Sequence, residues 1–206
     1  MPGGVETIEF FFDFGSPNAF LAHRAIPAIE ARTGARFSYQ PMLLGGVFKA
    51  TGNRSPGEVF AGVPAKLAFM AVETRRFVAR HGITDYRPNP FFPVITLSLM
   101  RGALAARRLT CFEPYVEAVF QGMWSEGRKM DDPDVFRSRL QQAGLDAVGL
   151  IALSGTAEVK QELIAATEGA VARGVFGAPS FFVGEEMFFG KDQLRDVEET
   201  WLAQCA

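Results

Sequence analysis

A chain of 206 residues that is 48% hydrophobic and carries 20 phenylalanines can bury a sizeable core, as one large domain or one domain with an insertion, which excludes a disordered polypeptide. The formal net charge of -2, with no long basic run, does not suggest a nucleic-acid surface. No apolar stretch reaches the ~18 residues of a membrane span, and the opening "MPGGVETIEF" lacks the basic-then-apolar pattern of a signal peptide.

"VETIEFFFDF" (Val5 to Phe14) is rich in β-favouring residues and predicts a buried first strand. At its end stand Gly15, Ser16 and Pro17. Pro17 suits the first turn of a helix, and Ser16 suits its N-cap. The helix runs through "AFLAHRAIPAIEARTG" to a stop at Gly34, and Pro27 inside it predicts a kink or a break. "ARFSYQPMLL" reads as a second strand, parallel to the first because a helix joins them.

From about Gly45 to Arg173 the pattern is mostly helical. "AGVPAKLAFMAVETRRFVARHG", "PVITLSLMRGALAARR", "FEPYVEAVFQGMW", "DDPDVFRSRLQQAG" and "TAEVKQELIAATEGAVARG" each predict a helix, and the Asp-Pro of the fourth marks its entry. "YRPNPFFP" (Tyr86 to Pro93), with three prolines in eight residues, is an irregular linker. The end reverts to β: "APSFFVG" and "EMFFG" form a hairpin split by Gly184, Glu185 and Glu186, and "KDQLRDVEETWLAQ" is the closing helix. The order βαβ, helical insert, ββα predicts an α/β protein with a thioredoxin-like fold and a large all-helical insertion. Residues 1–45 and 174–206 would form the discontinuous sheet domain, and 46–173 the insertion.

Two cysteines, Cys111 and Cys205, make neither a C-x-x-C pair nor a zinc pattern. They read as one buried thiol and one at a fraying end, in a reducing cytoplasm. In a thioredoxin-type fold the redox cysteines sit at the start of the first helix. Here that slot reads Ser16-Pro17-Asn18-Ala19, so dithiol exchange is excluded for want of an attacking sulfur. Ser16 alone is most simply a helix cap. The alternative is that it donates a hydrogen bond to a thiolate supplied from outside. Pro179, just before a strand in "GVFGAPSFFV", is by base rate a trans edge proline. The element order favours the cis form instead, which leaves the N–H and C=O of Ala178 unpaired by the sheet and able to pair with a cysteinyl peptide. Asn53 in "TGNRSP" and Lys66 in "PAKLAFM" read on their own as a turn residue and a solvated helix lysine. Lys191-Asp192 reads as a helix start. His23 and His81 have no partner in sequence and are taken as structural. "MDDPDV" satisfies a helix dipole without a metal, and no metal site is expected.

Taken together, "FFFDFGSPNAFLA", "FKATGNRSP", "PAKLAFM", "NPFFPVITLSLMRG", "GRKMDDPDV" and "GVFGAPSFFVGEEMFFGKDQL" resemble the 2-hydroxychromene-2-carboxylate isomerases and the related kappa-class glutathione transferases, within the DsbA-like thioredoxin-fold group. "PNPFFP" and "FFVGEEMFFGKDQL" lean towards the bacterial isomerase branch. The resemblance implies glutathione as cofactor, a small aromatic substrate and a homodimer. It implies that Ser16 holds the glutathione sulfur and that Ala178, before a cis Pro179, pairs with the cysteinyl backbone. Asn53 and Lys66 would contact the tripeptide ends, and Asp192 with Lys191 beside it the γ-glutamyl part. Asn18-Ala19 departs from the aromatic-plus-serine pair common in the family. Pro17, Phe48, Phe91 and Phe92 are candidates for the substrate wall, with core packing the alternative for the three phenylalanines.

The implied activity is glutathione-dependent cis–trans isomerisation of a ring-opened aromatic pyruvate by thiolate addition, bond rotation and elimination. A free thiol has a pKa of about 8.5, and lowering it by ~2 units needs ~2.7 kcal/mol of preference for the thiolate. One hydrogen bond to the charge gives ~1.5–3 kcal/mol, and a helix N-terminus ~0.3–1 kcal/mol more. The alternatives are a transferase that consumes glutathione and a redox-inactive thioredoxin-like module that binds peptides along the Ala178-Pro179 edge.

Overall fold

The computed structural model describes residues 7–205. Val5 and Glu6 of the expected first strand lie outside these residues, as does the side chain of Cys205. Apart from Glu9, which pairs with Arg173, strand β1 (Ile8–Phe12) is apolar on both faces because both are covered. Ile8, Phe10 and Phe12 enter the main core, while Phe11 joins Met42, Val47, Val175 and Phe182 in a second cluster on the opposite face. The strand stops before Asp13 and Phe14, two residues earlier than its apolar composition suggests. The Asp13 carbonyl there accepts the N–H of Ser16 in a turn.

Helix α1 (Pro17–Thr33) follows, capped by Ser16 and closed by Gly34 in the left-handed region at φ 73°. Pro27 does not break it. The ring sits on the exposed side, where the carbonyl it displaces can turn to water. Strand β2 (Phe37–Pro41) returns parallel to β1, as the βαβ reading requires.

The expected helices are present as α4 (Pro64–Arg80), α5 (Leu97–Arg108), α6 (Phe112–Trp124), α7 (Pro133–Gln142) and α9 (Ala157–Ala172). Three further helices have no counterpart in the sequence reading: α2 (Leu44–Thr51), the single turn α3 (Pro56–Val59) and α8 (Ala147–Ser154). Two glycines in α2 and an apolar character all round α8 hide the helical period. Asp132 caps α7, accepting from Asp134 N and Val135 N, as its place before a helix led one to expect.

Strands β3 (Ser180–Val183) and β4 (Glu186–Phe189) make the hairpin, and a 3-10 turn over Lys191–Gln193 leads into α10 (Leu194–Cys205). The sheet order is β2-β1-β3-β4, with β3 antiparallel to both neighbours. This is a DsbA-like thioredoxin fold with a helical insertion. Register decides where chemistry can gather. Phe12 lies opposite Pro41, Phe11 opposite Ser180 and Ser180 opposite Phe189, so one end of the sheet receives Ser16, Leu44, Pro179 and Gly190 together.

At the outer edge of β2, alternate residues face away from β1. There Phe37 N donates to Glu30 Oε1 at 2.9 Å, and Arg107 Nη2 donates to the Tyr39 carbonyl at 2.5 Å.

Candidate active site

Ser16 is 5% exposed and its hydroxyl makes two bonds. It accepts from Ala19 N at 3.1 Å, which is the helix cap, and donates to the Ala178 carbonyl at 2.9 Å, across 162 residues of sequence. The cap reading is thus observed, and it does not exclude the other, because capping uses a lone pair and the proton remains for another partner. The Ala178-Pro179 peptide is cis. Ala178 precedes β3, so the sheet leaves its carbonyl to Ser16.

The turn that carries Ser16 is held from three helices. The Asp13 carboxylate is fully buried, accepting Gly15 N at 2.8 Å and Leu44 N, at the start of α2, at 2.7 Å. Trp124 Nε1, on α6, donates to the Phe14 carbonyl at 2.7 Å, and Phe14 N points to Met100 Sδ on α5 at 3.5 Å. A Cβ on Gly15 would stand 3.2 Å from Thr96 Cγ2 and 3.3 Å from Asp13 Oδ1, so glycine allows this close approach. Burial pushes the Asp13 carboxyl above the usual carboxylate range, against the pull of the Gly15 and Leu44 amides and the Thr96 hydroxyl. No role falls to Asp13 in the sequence reading. The available signal is a lone charge in an otherwise apolar "FFFDF", since a buried carboxylate must find donors.

The Pro179 loop gathers the other candidates. Asn53, beyond the end of α2, donates from Nδ2 to the Phe176 carbonyl at 2.8 Å. On the opposite side Gly190 N donates to the Pro179 carbonyl at 2.9 Å, fixing the turn that bears Lys191 and Asp192. Lys191 is 4% exposed. Its Nζ bonds Asp192 Oδ2 at 2.6 Å and lies 5.0 Å from the centre of the Phe77 ring. The Asp192 carboxylate faces solvent. Ser16, Ala178, Pro179, Asn53, Lys191 and Asp192 thus form one neighbourhood.

Lys66 is not joined to it among the described residues. It is exposed in the first turn of α4, with Nζ 5.5 Å from the Phe60 ring centre and 5.9 Å from that of Phe69. Phe48 and Pro17 are half-buried. Phe91 and Phe92 are each 50% exposed, which removes the core-packing alternative for this pair. Phe92 leans on Trp124 at 5.7 Å between ring centres, and its peptide to Pro93 is also cis.

Neither histidine serves Ser16. His23 lies between the Tyr39 hydroxyl at 2.7 Å and Glu117 Oε2 at 2.9 Å, and His81 packs on Phe77 at 4.2 Å. Cys111 is half-buried at the start of α6, and burial raises its thiol, the opposite of a reactive cysteine. A cavity of about 810 Å³ lies along the edge of β2 between His23, Tyr39, Arg107 and Glu113, and Ser16 does not line it. The candidate residues gather at the helix mouth and the proline loop, not at this cavity. No helix among the described residues is long and apolar enough to cross a membrane.

A thioredoxin sheet with a serine at the redox position, facing a cis-proline loop, defines the class. The chain belongs to the DSBA-like thioredoxin domain family, whose profile matches residues 7–201. Within that family it is an enzyme, similar to the 2-hydroxychromene-2-carboxylate isomerase of Sphingobium xenophagum, with 32% identity over 96% of this chain and 98% of that one. It is also similar to human glutathione S-transferase kappa 1, at 26% identity over 91% of this chain and 87% of that one. Among solved structures, a 2-hydroxychromene-2-carboxylate isomerase superposes with a TM-score of 0.81 at 25% identity, covering 97% of this chain and 96% of the other.

Proposed function

We propose that the chain is a glutathione-dependent cis–trans isomerase interconverting 2-hydroxychromene-2-carboxylate and trans-o-hydroxybenzylidenepyruvate, as a cytoplasmic homodimer in aromatic hydrocarbon degradation. The observation that carries this reading is the bond from the buried Ser16 hydroxyl to the Ala178 carbonyl, at a helix mouth and beside a cis-proline loop. The donor set suits a cysteinyl tripeptide. Glutathione held there would supply a thiolate for reversible addition β to the substrate carbonyl, the chemistry that would let the former double bond rotate.

The residues of this chain have separate tasks. Ser16 has one proton, now given to Ala178. Turning that proton to a sulfur releases the Ala178 carbonyl, which can then accept a backbone N–H from a peptide laid along the loop. The same hydroxyl keeps its cap on Ala19 N, so the dipole of α1 stays aimed at the sulfur. Asp192 presents its carboxylate to the γ-glutamyl amine, and Lys191 holds that carboxylate in place. Asn53 and Lys66 serve the tripeptide ends, Lys66 by reaching in from α4. Pro17, Phe48, Phe91 and Phe92 wall the substrate. In this reading residues 1–45 and 174–206 bear the thiol chemistry, and 46–173 supply most of the apolar wall.

The similarity to kappa-class enzymes favours one competing reading, a transferase that conjugates electrophiles. Stoichiometry separates the two. Enzyme with a trace of glutathione should convert a large excess of 2-hydroxychromene-2-carboxylate and leave free thiol unchanged, and dialysed enzyme should be nearly inactive until glutathione returns. Loss of thiol one-for-one with product would establish the transferase.

A further inference from the structure

A second cavity, about 350 Å³, lies between α2, α5 and α9. None of Ser16, Asn53, Ala178, Lys191 or Asp192 lines it. Its walls are apolar: Leu43, Leu97, Leu163, Ile164 and Val171. Gly46 brings α2 against α9, since a Cβ there would stand 3.0 Å from Thr167 Cγ2. Leu43 N is tied to the Thr167 hydroxyl at 3.0 Å, which fixes the same contact.

One side chain in this cavity is out of balance. Arg101, on α5, makes no hydrogen bond or ion pair among the described residues, and its Nε is buried without a partner. Two other arginines have a buried Nε without a hydrogen-bond partner, Arg24 and Arg139. Both have guanidinium nitrogens that are otherwise engaged: Arg24 with Glu117 and Asp85, Arg139 with Gln121 and Glu126. Arg101 has no such engagement. Lys49 and Lys160 stand exposed at the rim, and Glu168 is the one acid that lines the cavity, in ion-pair contact with neither Arg101 nor the lysines. An apolar chamber of this size with a guanidinium inside and a surplus of positive charge suits a small molecule with an apolar body and one carboxylate.

We propose that the α2/α5/α9 cavity is a binding site for an aryl or alkyl monocarboxylate, with Arg101 as the carboxylate anchor. The site goes beyond the isomerase reading and does not depend on glutathione. Leu43 and Thr96, which precede Leu44 and Leu97, stand beside the Asp13 clamp, so the cavity wall is continuous with the support of the Ser16 turn.

Calorimetric titration of the full chain with 1-naphthoate tests this. The expected result is saturable 1:1 binding that weakens by ~10-fold or more in Arg101→Gln, as expected for loss of a charge-assisted hydrogen bond. Arg101→Lys should retain part of the affinity, and Ser16→Ala should retain all of it. The neutral analogue 1-naphthalenemethanol should bind at least ~10-fold more weakly than the acid. Far-UV dichroism and thermal melting check that each variant is folded. Should Arg101→Gln fail that check, Ile164→Trp decides, because it fills the cavity mouth and keeps the charge: it should abolish binding. No saturable binding, equal affinity for acid and alcohol, unchanged affinity in the folded Arg101→Gln or Ile164→Trp protein, or loss of binding in Ser16→Ala would each overturn the proposal.

Discussion

Ser16 has a single proton, and the two acceptors it could serve are alternatives. In Ser16→Ala the Ala178 carbonyl loses its partner and a bound thiolate loses its donor. Losing one hydrogen bond to a charge, ~1.5–3 kcal/mol, should raise the pKa of bound glutathione by about one to two units. Thiolate absorbance across a pH titration reads this directly, and an unmoved midpoint would reduce Ser16 to a cap. The fold should persist, since a lost N-cap costs only ~0.5–2 kcal/mol. Asp13 acts differently, through the turn beneath. Asp13→Ala strips the acceptor from Gly15 N and Leu44 N, and each orphaned buried amide costs ~1–3 kcal/mol. We expect a lower thermal midpoint. We also expect a fall in kcat at a temperature where the variant is still fully folded, because Ser16 is no longer held. Ser16 is readable from the sequence because serine before proline marks a helix entry. Asp13 and Arg101 are not, since their importance lies in which donors and acceptors the tertiary fold brings or fails to bring to them.

Between elements, α1 and α6 are joined by a polar cluster beside the apolar contact of Phe20 with Phe120. Glu117 on α6 accepts from His23 Nε2 at 2.9 Å and from Arg24 Nη1 at 2.7 Å, and Arg24 also reaches Asp85 at 2.7 Å. The His23 and Arg24 bonds hold the Glu117 carboxyl down to about 2, against its burial. A carboxylate whose folded pKa is depressed stabilises the fold above its ordinary value, and that contribution drains away as pH falls from about 4.5 towards 2. Urea midpoints at pH 6 and pH 3 should therefore fall further in the parent protein than in Glu117→Gln, and equal falls would dismiss the linkage. The elements themselves divide by legibility. Helix α1, with its proline entry and glycine stop, and the β3–β4 hairpin with its glycine turn can be read from local signals. Helices α2 and α8 cannot, because two glycines in the one and an apolar character all round the other hide the helical period.

Over the whole molecule, βαβ followed by a helical stretch and ββα is enough to place one strand order and one chemically useful sheet end. Lys66 shows where such reasoning stops. Its residue type and order in the chain match the resemblance, yet the structure leaves it over Phe60 and Phe69, apart from the other candidates. The far side of the sheet has a consequence of its own. Of the outward positions on β2, Phe37 has its N–H taken by Glu30, Tyr39 has its carbonyl taken by Arg107, and Pro41 has no N–H to give. The strand is a poor template for a further strand, and two solvent-side charges do the work that a covering helix does elsewhere. Their removal should matter little to catalysis and much to handling. Purified Glu30→Ala/Arg107→Ala protein, incubated at high concentration, should shed its colloidal stability, gaining light scattering and thioflavin-T fluorescence sooner than the parent. If both proteins stay clear for equally long, the edge is guarded by something other than these two side chains.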